Sequence, residues 1–167
     1  MAELKVKFRY QHGTADTGRL DLYNASVALS GIARATSIVT HAYLNGEVRS
    51  HGEAAHGAEF YINTPKRGSF TYEAVIWVAG AISGGVFYDF VKYSFNEAVG
   101  KISQNDQMSR QLARRIEPTI EELPAVLESP LSDMHRPIRK EPVMVMDVTK
   151  PRGEKIVSFD SDTALYL

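Results

Sequence analysis

The sequence contains no cysteine. A thiolate nucleophile, a disulfide framework and every zinc site built on cysteine are therefore excluded. The sequence also lacks a basic surplus, because 19 Lys and Arg residues stand against 20 Asp and Glu residues. Proteins that bind duplex nucleic acid usually carry such a surplus, so a duplex is not the expected partner, and any anion site has to be local.

Long apolar runs are also missing. The most apolar segment, from Ala74 to Tyr88, is shorter than the roughly 20 residues that a membrane-spanning helix needs, and Asp89 follows it directly. The first nine residues alternate charged and apolar side chains, whereas a signal peptide has a continuous apolar centre. These two features predict a cytoplasmic protein that does not enter a membrane.

Alternation of apolar and polar residues predicts most of the β-structure. It marks an N-terminal strand at residues 4–10 and a central meander between residues 59 and 77, with a hairpin turn at residues 65–68. A short extra strand is expected at residues 47–50. The segment 143–159, with a turn in its middle, predicts a closing hairpin.

One long helix is predicted from Asp21 to Leu44, because apolar residues recur there at spacings of three and four. Asp21 is expected to cap its start, and Gly46 supplies the left-handed residue that ends it. Gly31 lies in the helix interior, where glycine costs about 1 kcal/mol relative to alanine. Its presence there predicts a close backbone contact.

Further helices are predicted in the second half of the chain. Helical spacing begins after Val78 and returns between residues 106 and 118. The pattern from Thr119 to Glu122 is typical of a capping box that opens one more short helix. Beyond it, an irregular connection is expected at three prolines: Pro130, Pro137 and Pro142.

The order of these elements predicts the fold class. With 167 residues, 44% of them hydrophobic, the chain is expected to form one domain, residues 1–167. The predicted class is α+β, with a mostly antiparallel sheet made of the N-terminal strand, the central meander and the C-terminal hairpin. The long first helix and a Gly-rich second helix are expected to pack on this sheet.

Four phrases of the sequence are similar to a set of uncharacterised bacterial proteins. They span residues 19–34, 40–49, 67–70 and 134–138 and are spread over most of the chain. The resemblance implies a prokaryotic or phage origin. It implies no activity, so no residue is given a function from it.

Glycine is concentrated between Val78 and Phe87. On a helix, the spacing of Gly80 and Gly84 would place small residues on one face and let a second helix come close. One partner that fits is the first helix, which has its own small residues at Ala28, Gly31 and Ala35.

The other partner that fits is a second copy of the chain. The interface would then contain four residues of this segment: Gly80, Gly84, Gly85 and Phe87. A phosphate-binding loop is not predicted, because the Gly84-Gly85 pair is followed by Val-Phe instead of the Lys-Ser or Lys-Thr that binds phosphate and magnesium.

A site for an anionic or nucleotide-like molecule is a further hypothesis. Arg67, Arg136 and Arg139 belong to basic clusters that could hold an anion, and Tyr72 and Trp77 could stack on a base. The hypothesis requires that folding bring these five residues together.

Histidine chemistry has weak support. His51 and His56 are five residues apart, not the four that place two metal ligands on one helical face, so no metal site is predicted. Asp133 could orient His135 as a general base, or both could form local hydrogen bonds that shape the turn. No serine or threonine lies in a nucleophile motif, so neither a catalytic residue nor a cofactor is predicted.

The expected function is therefore that of a non-catalytic binding or assembly protein that forms a homo-oligomer through the Gly-rich helix. Another protein as partner stays open. The alternatives are capture of an anionic or nucleotide-like molecule, hydrolysis that depends on His135, and association with a membrane through the Gly-rich helix.

Overall fold

The computed structural model describes residues 2–49, 57–63, 70–80, 84–101 and 119–167. The expected hairpin turn at 65–68, the helix at 106–118, and Arg67, His51 and His56 lie outside these residues. The elements in chain order are β1 (Ala2–Gln11), a 3-10 helix (Gly13–Thr17), α1 (Leu22–Asn45), β2 (Ala58–Asn63), β3 (Phe70–Val78), α2 (Gly84–Ala98), α3 (Thr119–Met134), α4 (Arg136–Lys140), β4 (Val145–Thr149), β5 (Lys155–Phe159) and α5 (Ser161–Tyr166).

The five strands form one antiparallel sheet in the order β2-β3-β1-β4-β5. The fold is therefore α+β with an antiparallel sheet, as predicted. β1 lies in the middle because it pairs with both β3 and β4. This central position explains the alternation of β1: its apolar residues are buried under the helices and its charged residues lie on the opposite face.

Helix α1 follows its prediction closely. Asp21 caps it by accepting a hydrogen bond from the Asn24 amide, and Gly46 ends it with a φ of 64°. The close contact predicted at Gly31 is also present, since a Cβ there would lie 2.5 Å from the Pro130 carbonyl oxygen of α3. The small face of α1 therefore packs on α3, not on the Gly-rich helix.

Three local predictions are wrong. Residues 47–49 contain no strand. Helix α2 begins at Gly84, because the strand before it continues to Val78 and a bend follows at Ala79 and Gly80. Where an irregular connection was expected, α3 continues through Pro124 and Pro130 as far as Met134.

The length of α3 has a packing explanation. Leu123, Leu127, Leu131 and Met134 are buried at helical spacing. Each buried leucine stabilises the fold by about 1.5–3 kcal/mol, which offsets the roughly 3 kcal/mol that a proline costs inside a helix. The Tyr10 hydroxyl donates to the Met134 carbonyl oxygen over 2.7 Å and joins the central strand to the end of this helix.

Candidate functional site

The four residues of the expected Gly-rich interface do not share one surface. Gly80 lies in the bend after β3 with a φ of 119°, so it is not on the helix that begins at Gly84. Phe87 is only 1% exposed, and its ring packs edge-on against Tyr43 at 5.5 Å between centroids. Gly85 is exposed. The helical face that would have joined the glycines is therefore not formed.

The residues of the expected anion site are also divided. Tyr72 and Trp77 are five residues apart on β3, so their side chains lie on opposite faces of the sheet. Tyr72 is buried against α1, with its hydroxyl 3.4 Å from the Ala25 carbonyl oxygen. Trp77 is on the other face, where its ring nitrogen donates to Glu3. One ligand cannot stack on both rings.

Two of the three arginines of that hypothesis have structural contacts, and the third, Arg67, lies outside the described residues. Arg139 donates to the carbonyl oxygens of Ser132 at 2.7 Å and Ala164 at 3.3 Å. The Arg136 guanidinium lies over the Tyr23 ring at 5.6 Å from its centroid. These contacts hold α4 against α3, α5 and the start of α1, and neither arginine points to Trp77's face of the sheet.

His135 is fully buried and does not meet Asp133. Its Nδ1 donates to the Leu131 carbonyl oxygen at 2.6 Å, and its Nε2 lies 2.8 Å from the Thr163 hydroxyl oxygen. Asp133 pairs with Arg34 instead. Burial lowers the pKa of His135 to about 4, so the imidazole is neutral at pH 7 and joins α3 to α5. The expected Asp–His pair for general-base chemistry is not formed.

Within the residues that the structure describes, no group of three or more His, Asp or Glu side chains could hold a metal ion. No helix in the same ranges is both long and apolar enough to cross a membrane.

An apolar groove opens beside the outermost strand and is here named the β2 groove. It lies between Leu29, Ala33 and Thr36 of α1, Phe60 and Ile62 of β2, and Ala74 of β3. Its volume is about 440 Å³. Small side chains create this space, because Ala74 lies directly opposite Ile62 in the sheet and Ala33 faces the groove from α1.

The groove is open on the side where the sheet ends. In the described part of the chain, β3 is the only strand that pairs with β2. Ile62 and Tyr61 are therefore 52% and 51% exposed, although both lie within a strand. Ile62 points toward the groove, whereas Tyr61 points to the other face and contacts Trp77 with 4.9 Å between ring centroids.

The backbone direction of β2 follows from one hydrogen bond. The Ala79 amide donates to the Gly57 carbonyl oxygen over 3.1 Å, one pair beyond the β2–β3 ladder. In an antiparallel pair, residues alternate between bonding to the partner and pointing away from it. Gly57, Glu59 and Tyr61 thus bond toward β3, and the amides and carbonyls of Ala58, Phe60 and Ile62 point out from the sheet.

The two edges of the sheet differ in protection. Edge strands are commonly guarded by charged side chains, especially lysine, by proline, by a bulge or by a covering element. On the other edge, β5 begins with Lys155, pairs through a register shift, and has its Ser158 carbonyl bonded by Lys101. β2 has the sequence Ala-Glu-Phe-Tyr-Ile-Asn and a continuous register, so it has one charged residue, Glu59, but no lysine, proline or bulge.

Thr36, which lines the groove, has a buried polar atom without a partner among the described residues. The Thr36 hydroxyl is buried, and no described residue makes a hydrogen bond with it. An unpaired buried hydroxyl costs about 1–3 kcal/mol. At this position an apolar residue of the same shape would be expected to fit better.

Sequence reasoning placed Phe60 and Ile62 on a strand but did not identify them as part of a site. The missed signal is the composition of that strand, which has no lysine or proline and whose one charged residue, Glu59, alternates with its apolar positions. That signal gains meaning only when the strand is known to lie at the edge.

Comparison with known proteins supplies a family and nothing beyond it. Neither the curated proteins nor the solved structures give a match to the chain. Residues 6–167 match the family described as Domain of unknown function (DUF7946). Because the match covers nearly the whole chain, the protein belongs to this family.

Proposed function

We propose that the protein is a non-catalytic binding and assembly protein that accepts an additional β-strand at the outer edge of β2. The observation that supports this most strongly is an edge strand that pairs only with β3 among the described strands and borders an apolar groove. An added strand would bond to the outward amides and carbonyls of Phe60 and Ile62. Its alternate side chains would enter the β2 groove, where about 440 Å³ is open to them.

The chemistry of the groove favours this partner over an anion. Strand addition obtains affinity from main-chain hydrogen bonds and specificity from pockets for alternate side chains. Leu29, Ala33, Phe60 and Ile62 provide such an apolar pocket, and none of the described residues that line it is Lys or Arg. An anionic or nucleotide-like ligand would need a cation that this described lining does not offer.

The cellular setting is part of the proposal. A chain without cysteine suits a reducing cytoplasm, although it does not require one. The similarity to bacterial proteins supports a bacterial or phage context. We therefore propose a cytoplasmic assembly protein of a bacterium or a phage.

The test uses short immobilised peptides of alternating apolar and polar residues, including one with the sequence of residues 58–63. Ile62→Pro is the blocking variant, because it removes an outward amide where an edge strand tolerates proline. Ile62→Thr is the matched control, since it keeps that amide and a β-branched side chain. Wild type and Ile62→Thr should bind, and folded Ile62→Pro should not.

Two results would contradict the proposal. One is that no peptide binds and the outward amides of Phe60 and Ile62 stay unprotected from hydrogen exchange at every protein concentration. The other is that Ile62→Pro, with an unchanged near-ultraviolet circular dichroism spectrum, binds as well as Ile62→Thr.

A small apolar molecule in the same groove is the second candidate. The volume of about 440 Å³ lies within the range of small-molecule sites, and the described lining is largely apolar. A thermal-shift screen with fatty acids and other apolar molecules tests it. A rise in the melting temperature with one of these molecules would favour the small molecule over strand addition, and the absence of any such rise would remove this candidate.

A further inference from the structure

We infer that Asn45-Gly46, at the C-terminal end of α1, is a site of spontaneous deamidation that the folded helix end restrains. The modification replaces Asn45 by aspartate or isoaspartate, with water as the only co-reactant. The inference goes beyond the proposed strand addition and is independent of it, because neither residue lines the β2 groove.

The reaction balances between the chain and water. The Gly46 amide nitrogen gives up its proton and attacks the side-chain carbonyl carbon of Asn45. A C–N bond forms, and the side-chain nitrogen takes up a proton and leaves as ammonia. Water then opens the resulting succinimide ring at one of its two carbonyl carbons, which gives either aspartate or isoaspartate. Overall one amide is hydrolysed, and nothing is oxidised or reduced.

The sequence makes ring closure easiest at this asparagine. Glycine has no Cβ, so the Gly46 nitrogen can approach the Asn45 side chain without a steric obstacle. Both residues are exposed, so water and buffer bases reach them. Every other asparagine of the chain is followed by a residue that has a side chain; these are Asn24, Asn63, Asn96 and Asn105.

Two hydrogen bonds hold the reacting groups in the folded helix end. The Gly46 amide, which is the nucleophile, donates to the Ala42 carbonyl oxygen over 2.9 Å. The Asn45 side-chain nitrogen, which is the leaving group, lies 3.0 Å from Nδ1 of His41. An amide NH₂ can only donate, and His41 is buried, so the Asn45 side chain is anchored to the helix. Ring closure has to break the Gly46 bond, and folding therefore slows the reaction.

Only the last turn of α1 has to open for the reaction to proceed. Helix ends open locally at a lower free energy than the whole fold. Gly46 already has a left-handed φ of 64°, so it lies outside the regular helix. The buried middle of α1 can stay folded during ring closure. The rate of deamidation in the native protein therefore reports how often this turn opens.

The product does not restore the original helix end. An ionised carboxylate at residue 45 cannot donate a hydrogen bond to His41. It also places a negative charge at the C-terminus of a helix, where the helix dipole disfavours it. Glu47 already lies there, with its Oε2 3.4 Å from Nε2 of His41. Isoaspartate in addition lengthens the backbone by one methylene. The modification therefore loosens the end of α1 irreversibly.

The test incubates the full chain at mildly alkaline pH, both folded and in urea, and follows each asparagine by peptide mapping with mass spectrometry. In urea Asn45 should deamidate faster than Asn24 and Asn96, which serve as internal controls. In the folded protein Asn45 should react on the order of tenfold more slowly than in urea, because the Gly46 amide is bonded most of the time. Asn45→Gln is the matched variant and should react far more slowly in both conditions, since its longer side chain closes a six-membered ring less readily.

Three results would overturn the inference. If Asn45 in urea reacts no faster than Asn24 or Asn96, the site is wrong. If the rates in the folded protein and in urea are equal, the restraint by the helix end is wrong. Asn45→Asp reproduces the aspartate product and should unfold at a lower urea concentration than wild type. An unchanged midpoint would remove the loosening of α1.

Discussion

The Ala79 amide donates a hydrogen bond to the Gly57 carbonyl oxygen over 3.1 Å. Through the alternation of an antiparallel ladder, this bond determines that Phe60 and Ile62 present their backbone groups to the space outside the sheet. The same two side chains border the β2 groove on the face covered by helices. Backbone and side chains of one short strand are therefore both available to a further strand.

Ile62→Pro should convert an assembled protein into a monomer. The substitution removes one outward amide and with it one hydrogen bond to an added strand. Light scattering should give a mass above 18.6 kDa for wild type and near 18.6 kDa for Ile62→Pro. Ile62→Thr keeps the amide and should dissociate only at lower concentration. Equal masses for Ile62→Pro and Ile62→Thr would count against pairing through this amide.

Gly31→Ala should destabilise the fold even though alanine favours helices. The new Cβ would lie 2.5 Å from the Pro130 carbonyl oxygen and 3.0 Å from the Met134 amide nitrogen, both backbone atoms that cannot turn aside. Overpacking of this kind costs about 1–3 kcal/mol, more than the roughly 1 kcal/mol gained in helix propensity. Urea unfolding measures the change, with exposed Ser30→Ala as the control. A stabilised Gly31→Ala would contradict the close approach of α1 and α3.

Thr36→Val should stabilise the protein by about 1 kcal/mol. The substitution keeps the shape of the side chain and removes a buried hydroxyl that bonds to no described residue. Thr163→Val is the matched control and should destabilise, because the Thr163 hydroxyl accepts from the Asp160 amide and lies 2.8 Å from Nε2 of the buried His135. Urea unfolding of both variants gives the comparison. A loss of stability in Thr36→Val would mean that the hydroxyl is bonded in the native protein.

Stability should fall as the pH is lowered from about 6.5 to about 4. The folded-state pKa of His135 is lowered to about 4 by burial, whereas the unfolded chain binds the proton near 6.5. Between these two pH values the unfolded state therefore binds more protons than the folded state. Over the whole interval the free energy of unfolding should fall by about 3 kcal/mol. His135→Gln should be less stable than wild type at pH 7, but its stability should lack the part of the pH dependence that His135 causes. If the free energies of unfolding of wild type and His135→Gln changed in parallel with pH, the lowered pKa of His135 would be contradicted.

Local patterns were sufficient for several elements. The alternation in β1, the stripe and caps of α1 and the C-terminal hairpin all depend on residues close in sequence, and each was predicted near its observed bounds. The continuation of α3 was missed because prolines were given more weight than the buried leucine spacing. The start of α2 was misplaced because glycine and apolar residues suit both a bend and a helix.

The candidate site depends on long-range relationships that local patterns do not contain. Strand order makes β2 an edge, and this follows only from the pairing of β1 with both β3 and β4. The β2 groove requires Ala33 of α1 and Ala74 of β3 to face each other across the layers. The division of Tyr72 and Trp77 between two faces was readable from the sequence, since an odd separation on one strand always produces it.

The most direct measurement of the central claim is hydrogen exchange at single-residue resolution across β2. Amides of Glu59 and Tyr61 bond to β3 and should exchange slowly at every protein concentration. At high concentration the amides of Phe60 and Ile62 should be protected to a similar degree, and dilution should release them. Rapid exchange of Phe60 and Ile62 at all concentrations, beside slow exchange of Glu59 and Tyr61, would contradict pairing at this edge.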